Sequence, residues 1–224
     1  MIIRALDLVA SLMALILFLP FLVTVMIILK LTGEGEVIYR QRRIGLGGKE
    51  FFVLKFATML KESPRLAGGA ITVSDDPRVL PVGKFLRKTK INELPQLFNI
   101  IIGDMSIVGP RPLMKKQYGF YSENARSKIS SVRPGLTGIG SVFFRDEERY
   151  FAASSDSDEI YRTLISPIKE RLEIWYIDNR NVTLYLRLVW ATIAAVLWNE
   201  NRVLEIVDEN TKEFISELHT RSGQ

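Results

Sequence analysis

The longest pattern in the chain is an apolar one. Leu8 to Leu29 contains no charged residue. As a helix its twenty-two residues would extend roughly 33 Å, about the thickness of a bilayer's hydrocarbon core. Pro20 sits near its middle, in LFLPFLV. Proline removes a backbone hydrogen bond and crowds the preceding turn, so the pattern allows a kinked spanning helix or a re-entrant hairpin that enters and leaves by one face. Val37 to Phe56 alternates apolar and polar residues around Gly45-Leu46-Gly47-Gly48 and predicts a β-hairpin. Those glycines lack the spacing of a phosphate-binding loop. Lys61 to Pro77 reads as loop and Val82 to Thr89 as a short helix. A further helix is predicted from Asn92 to about Ile102, with Asn92 as N-cap, Glu93 at the positive end of its dipole and Pro95 in the first turn. Gly103-Asp104 ends it. Glu159 to Asp178 is helical apart from Pro167. Val182 to Trp198, with Arg187 its one charge, is a buried helix or an interfacial one with Trp190 and Trp198 at headgroup level. Asp208 to His219 is a polar terminal helix or a frayed tail. The expected class is α+β, helix-dominated, with a small β-hairpin.

Composition narrows the chemistry. The 224 residues suit one domain plus an anchor, and 47% are apolar. Zero cysteines exclude disulfides, zinc–thiolate sites and thiol nucleophiles. The one histidine, His219, lies in a charged tail, so a Ser-His-Asp triad is not expected. Carboxylates, lysine or tyrosine must carry any acid–base or nucleophilic work. The net charge of +5 is concentrated: Arg40, Arg42, Arg43, Lys49 and Lys55 follow the apolar segment, with Glu50 the one acid between Arg40 and Lys61. Such residues beside a membrane are attracted to anionic lipid by about 1 kcal/mol each, and their position predicts a cytoplasmic body. The apolar segment is too long for an ordinary signal peptide and lacks a small-residue cleavage site. No zinc-finger spacing, RNP motif or basic helix with interleaved aromatics is present, so no nucleic-acid partner is expected.

The densest chemistry lies in Lys90 to Pro112, KINELPQLFNIIIGDMSIVGPRP. Arg111 is clamped between Pro110 and Pro112, which lowers the entropy lost on binding, and its planar fork suits phosphate. Its bland alternative is a structural salt bridge. Glu93 could bind a divalent ion or attack phosphorus, or simply complement the helix dipole. Asp104 reads as a turn residue. Lys84, Arg87 and Lys88 share one helix face, either solvated or phosphate-holding. Arg133 to Glu148, RPGLTGIGSVFFRDEE, joins closely approaching backbone to Arg145 and three acids, Asp146, Glu147 and Glu148. These acids form a solvated cluster or, near a bound phosphate, a magnesium site.

These segments together resemble the bacterial sugar transferase family, the monotopic polyprenyl-phosphate phosphoglycosyl transferases. The matching pieces are the apolar segment with Pro20, KFATM from Lys55, DPR from Asp76, ELPQL from Glu93, GDMS from Gly103, GPRP from Gly109 and RPGLTG from Arg133. The resemblance implies transfer of a phospho-sugar from a UDP-sugar to polyprenyl (undecaprenyl) phosphate, yielding UMP and starting surface-glycan assembly for capsule, O-antigen or exopolysaccharide. It implies Mg2+, a ping-pong route through a covalent phospho-sugar enzyme, and downstream glycosyltransferases as possible partners. It favours re-entry at Pro20 and places the protein on the cytoplasmic face of the bacterial inner membrane. The implied layout is a membrane helix-hairpin over residues 1–33, a catalytic domain over 34–200 and a polar tail over 201–224. Lys55, Lys84, Arg87, Lys88, Arg111, Arg133 and Arg145 are then candidate phosphate or substrate contacts. Glu93, Asp146, Glu147 and Glu148 are candidate metal ligands.

One departure bears directly on activity. The family's usual pair before LPQL is Asp-Glu, with the aspartate as nucleophile; here it is Asn92-Glu93. A carboxamide oxygen cannot form the acyl phosphate. The chain is therefore an inactive form, natural or engineered, or a natural subgroup in which Glu93 or the RDEE acids attack, or an enzyme of direct transfer in which Asn92 only orients phosphate. The natural active subgroup is the reading adopted, with a non-catalytic membrane scaffold as rival. A second departure is Leu184-Tyr185-Leu186-Arg187, where many members carry an acid.

Overall fold

The computed structural model describes residues 1–32, 34–63, 76–145, 147, 150, 157–198 and 203–221. The apolar segment is one helix, α1 (Ile2–Thr32), with Pro20 inside it. The interruption expected at Pro20 is thus a proline within a continuous helix rather than a loop. Thr24 Oγ1 donates to the Pro20 carbonyl (2.9 Å) in the turn that follows. Asp7, Ser11, Leu15, Leu22, Val25 and Leu29 are the buried residues of α1, and their spacing of three, four and seven puts them on one stripe. Val9, Leu12, Met13, Ile16, Leu17, Leu19 and Leu31 are exposed. By length and composition α1 could cross a membrane.

The predicted hairpin is present as β1 (Ile38–Ile44) and β2 (Glu50–Phe56), antiparallel, with a 3-10 turn over Leu46–Gly48. Gly47 and Gly48 take φ of +67 and +71° there, a region glycine enters without penalty. Opposed residues share a sheet face. Tyr39 lies opposite Lys55 and Arg43 opposite Phe51 on one face, while Arg42 lies opposite Phe52 on the other. Arg40 and Arg42 stack over the Phe52 ring, 5.5 and 5.6 Å from its centre.

Helix α2 (Pro81–Lys88) leads through Lys90, which is left-handed (φ 59°), into a 3-10 turn at Ile91–Glu93. Helix α3 runs from Gln96 to Ile102 and stops at Gly103, φ 100°. Asn92 is therefore not its N-cap, as the sequence suggested; Pro95 is. The cause is local. Pro95 has no N–H to give the Ile91 carbonyl, so the chain closes with tighter bonds, Glu93 N to Lys90 O and Leu94 N to Ile91 O (3.0 and 3.1 Å).

A second sheet, which the alternation pattern did not reveal, pairs β3 (Ser106–Val108) in parallel with β4 (Gly135–Thr137). It brings GPRP and RPGLTG side by side: Gly135 N donates to Pro110 O (2.8 Å) and Gly109 N to Thr137 O (2.9 Å). Between these strands lie α4 (Lys115–Tyr118) and α5 (Glu123–Ser130). After them come α6 (Ile139–Phe143), α7 (Ser157–Ile160), a π-helical turn at Tyr161–Ile165, and α8 (Ser166–Asp178) with Pro167 in its first turn. The chain ends with α9 (Val182–Trp198), α10 (Val203–Ile206) and α11 (Glu209–Arg221).

Two main cores result. Leu15, Leu22, Val25 and Leu29 of α1 pack with Val53, Phe56, Leu86, Leu97, Ile100 and Met105. Ile139, Val142, Phe144, Tyr161, Ile165, Ile168, Leu172, Tyr176 and Leu188 form the other. The apolar helix is thus part of the body's core on both sides of Pro20.

Candidate active site

Three separated segments converge on Glu93. Its Oε1 lies 3.1 Å from Arg111 Nη2 and 3.4 Å from Lys55 Nζ, and its side chain is 12% exposed. Lys55 comes from the inner face of the hairpin, Glu93 from the 3-10 turn, and Arg111 from the loop after β3. Arg43 braces this loop: it donates to Pro112 O (3.1 Å), while Ile44 N donates to Leu113 O (2.8 Å).

The electrostatics are those of a cationic site around one acid. Burial alone would raise the Glu93 carboxyl, but Arg111, Lys55 and Lys90 together hold it well below the usual carboxylate range. It is ionised at any physiological pH. Glu93 in turn raises the Arg111 guanidinium above its usual value. Burial pulls the Lys55 ammonium down to about 7; Glu93 opposes this, and Arg111, Arg43 and Arg87 reinforce it. Arg43 is lowered to about 10 by burial and by Arg111, and so stays a cation.

Of the residues singled out from sequence, Lys55, Glu93 and Arg111 are in contact, with Arg87 adding positive charge at Lys55. Asn92 adjoins them, buried at 7% exposure, with its Oδ1 unpartnered. Lys84 and Lys88 are exposed on α2, while Arg87 is half-buried and donates to Met59 Sδ (3.7 Å). Arg133 donates to the Gly103 carbonyl (2.8 Å), joining the loop before β4 to the end of α3. Arg145 is half-buried in the turn after α6. Asp146 and Glu148 lie outside the described residues. Glu147 accepts a hydrogen bond from Lys169. Lys169 holds it ionised against the effect of burial, with help from Arg111 and Lys90.

Sequence reasoning missed Lys169 and Glu173. Both lie on the face of α8 that also carries Ile168, Leu172 and Tyr176, and both are 3% exposed. Lys169 Nζ sits 5.3 Å from the Phe144 ring centre and 5.2 Å from that of Tyr161. Glu173 Oε1 is 3.4 Å from the Arg111 backbone N, and its Oε2 has no partner. Burial pushes its carboxyl up to about 8. The signal was available: two ionisable residues four apart on an otherwise apolar helical stripe are expensive to bury unless paired or neutralised.

Among the described residues no three His, Asp or Glu side chains converge. Arg111, Lys55 and Lys90 around Glu93 instead suit multiply charged phosphate, which arginine and lysine bind by charge and by fork geometry.

Comparison with known proteins gives this arrangement its context. The chain is 34% identical over 207 residues to the exopolysaccharide production protein ExoY of Rhizobium meliloti, covering 86% of this chain and 84% of that one. It is 35% identical over 202 residues to a UDP-glucose:undecaprenyl-phosphate glucose-1-phosphate transferase of Caulobacter vibrioides, covering 88% and 70%. It is 32% identical over 201 residues to a UDP-N-acetylgalactosamine-undecaprenyl-phosphate N-acetylgalactosaminephosphotransferase of Aeromonas hydrophila, covering 87% and 43%. Residues 1–199 match the model of the bacterial sugar transferases, and the chain belongs to that family.

Proposed function

We propose that this protein transfers a phospho-sugar from a UDP-sugar to undecaprenyl phosphate, giving the lipid diphosphate sugar and UMP. The observation that carries the reading is the Lys55–Glu93–Arg111 cluster, built on a body whose core includes an apolar helix. Both substrates bring phosphate, and one of them is held in a bilayer. Phosphoryl transfer needs mainly positioning and charge stabilisation, which this set of cations supplies. Two relatives are named for UDP-linked donors and undecaprenyl phosphate but for different sugars. The sugar is accordingly left open.

The membrane arrangement follows from α1. Its buried residues on both sides of Pro20 pack on one body, whereas a helix crossing the bilayer would carry one end away from it. The remaining faces of α1, together with exposed Phe85, Phe98, Ile102, Trp190, Leu197 and Trp198, are apolar and need lipid rather than water. We read the protein as monotopic, on the cytoplasmic face of the inner membrane, with the outer faces of α1 in lipid and its buried stripe on the body.

Mg2+ fits this reading. The ion commonly takes one or two carboxylates and completes its shell with substrate phosphates and water, so a site with few convergent acids suits a metal that enters with the donor. Glu93 would hold it after exchanging its contact with Lys55 or Arg111. Bound there, the ion would neutralise charge on the diphosphate.

UMP release tests the reading, with the chain in nanodiscs with Mg2+, undecaprenyl phosphate and a panel of UDP-sugars, and Asn92→Asp alongside. Lipid-dependent release by the chain as given is expected. Release by Asn92→Asp alone would make this an inactive form. Binding without release by either would favour the scaffold, the reading for which Asn92 speaks.

A further inference from the structure

We propose that Glu147 is the carboxylate that receives the phospho-sugar in this chain, and that Lys169 is the positioning residue that holds it. The proposal rests on the transferase reading above and assigns the acid that Asn92 cannot provide.

Asn92 is buried and its carboxamide is not a nucleophile. Glu93 is poorly placed to take over, because its side chain is 12% exposed and two cations share its Oε1. Glu147 differs on both counts. Its side chain is 31% exposed, while that of its partner Lys169 is 4% exposed. It stands in a turn closed by its own N–H to Phe144 O (3.2 Å) and by Tyr150 N to its carbonyl (3.1 Å). Lys169 is immobilised between the Phe144 and Tyr161 rings, at 5.3 and 5.2 Å. A buried ammonium boxed by aromatics fixes its acceptor more firmly than a surface lysine would.

Helix α8 also ties this acid to the phosphate site. One turn beyond Lys169, Glu173 Oε1 meets the Arg111 backbone N at 3.4 Å. Lys169 Cγ and Glu173 Oε1 both abut Gly140, where an added Cβ would lie 3.7 and 2.6 Å from them. One helical face thus sets the positions of Arg111 and Glu147 together. Arg111 and Lys90 also favour the ionised form of Glu93 and of Glu147 alike.

The step balances without an outside reagent. A Glu147 carboxylate oxygen attacks the sugar-bearing phosphorus of the UDP-sugar. The bond from that phosphorus to the bridging oxygen breaks, and its electron pair leaves on UMP. The resulting acyl phosphate is then attacked by an oxygen of undecaprenyl phosphate, and the carboxylate departs with its electrons.

The test is to locate the intermediate. The full chain in nanodiscs with Mg2+ is given UDP-glucose, UDP-galactose, UDP-N-acetylglucosamine or UDP-N-acetylgalactosamine without lipid acceptor. Hydroxylamine is then added to convert an acyl phosphate to a hydroxamate, and peptides are mapped by mass spectrometry. A donor-dependent hydroxamate at Glu147 is expected, with Glu147→Gln losing both the adduct and UMP release but still binding donor. Lys169→Met should lower kcat at least tenfold with donor KM little changed, and Lys169→Arg should recover part of it. A label on Glu93, Asp146 or Glu148, turnover with no label, or full turnover by Glu147→Gln would overturn the assignment while leaving the transferase reading intact. Lack of UMP release by the parent chain with any donor and lipid would overturn both.

Discussion

Tyr185 donates a hydrogen bond of 3.0 Å to Asp7 Oδ1 across 178 positions of sequence, joining α9 to the apolar helix. The same carboxylate accepts from Ser106 Oγ (2.8 Å to Oδ2) and from Ile107 N (2.9 Å to Oδ1), at the start of the strand that leads to Arg111. Three residues earlier in α1, Arg4 donates to Ile100 O and Ile101 O at 2.7 and 3.1 Å. These are carbonyls in the last turn of α3, where Ile100 O also accepts from the capping Gly103 N–H (3.1 Å). One end of α1 therefore grips both segments of the candidate site.

Removing that grip should be expensive. Asp7→Ala leaves two hydroxyls and a backbone N–H without their acceptor in a buried place, and about 3 kcal/mol of stability should go. Asp7→Asn keeps one acceptor oxygen and should lose less. Denaturant titration in detergent checks the order. Deleting residues 1–33 should go further and yield no folded domain, because Leu15, Leu22, Val25 and Leu29 would leave a core that Val53, Leu86 and Ile100 cannot close alone. A soluble, cooperatively unfolding truncation would refute this.

Lys55 should set an alkaline limit on activity. With its ammonium near 7, the free enzyme loses this cation as pH rises, and kcat/KM for the donor should fall about fivefold between pH 7 and 8. Lys55→Arg, which does not deprotonate, should flatten that limb. Glu93→Gln removes the charge that raises Lys55 and should move the limb to lower pH. Rate profiles of the three proteins at saturating lipid decide it.

How much of this was legible depended on range. The hairpin over Val37–Phe56 and the helix over Val182–Trp198 were readable because alternation and apolar runs are local signals. Glu93 and Arg111 could be singled out from local chemistry, an acid two residues before a proline and a proline-clamped arginine. The β3–β4 pair was not, since three-residue strands show no period and their pairing joins Gly109 to Gly135 across the chain. The start of α3 was misplaced because the missing N–H of Pro95 outweighs the capping preference of Asn92. Lys169 and Glu173 read as ordinary helix surface until the apolar neighbours on their face are counted.

Gly135 should tolerate no side chain. A Cβ there would lie 2.2 Å from Gly109 N and from Thr137 O, both backbone atoms that cannot swing away. Gly135→Ala must push the two motif strands apart. A loss of about 3 kcal/mol is expected, together with an activity loss greater than instability explains, since Arg111 is two residues beyond Gly109. Gly47→Asn is the control. Nothing lies within 4 Å of a Cβ at that position, asparagine tolerates its left-handed backbone, and both stability and activity should stay near those of the parent.

Glu173 should make the protein less stable as pH rises. Its native carboxyl stands near 8 because it is buried, whereas in the unfolded chain it titrates near the ordinary glutamate value of about 4.3. Below pH 4 both states hold the proton and the group is neutral to stability. Between about 4.3 and 8 the unfolded chain releases its proton and the native state keeps it, so the unfolded state is favoured progressively, by up to a few kcal/mol. Above 8 both are ionised and the loss levels off. Glu173→Gln matches the shape beside Gly140 and can still accept from Arg111 N, yet has no proton to lose. The variant should therefore match the parent near pH 4 and exceed it at pH 8. Chemical denaturation at the two pH values reads the difference directly, and equal slopes for parent and variant would mean that Glu173 is already ionised in the native protein.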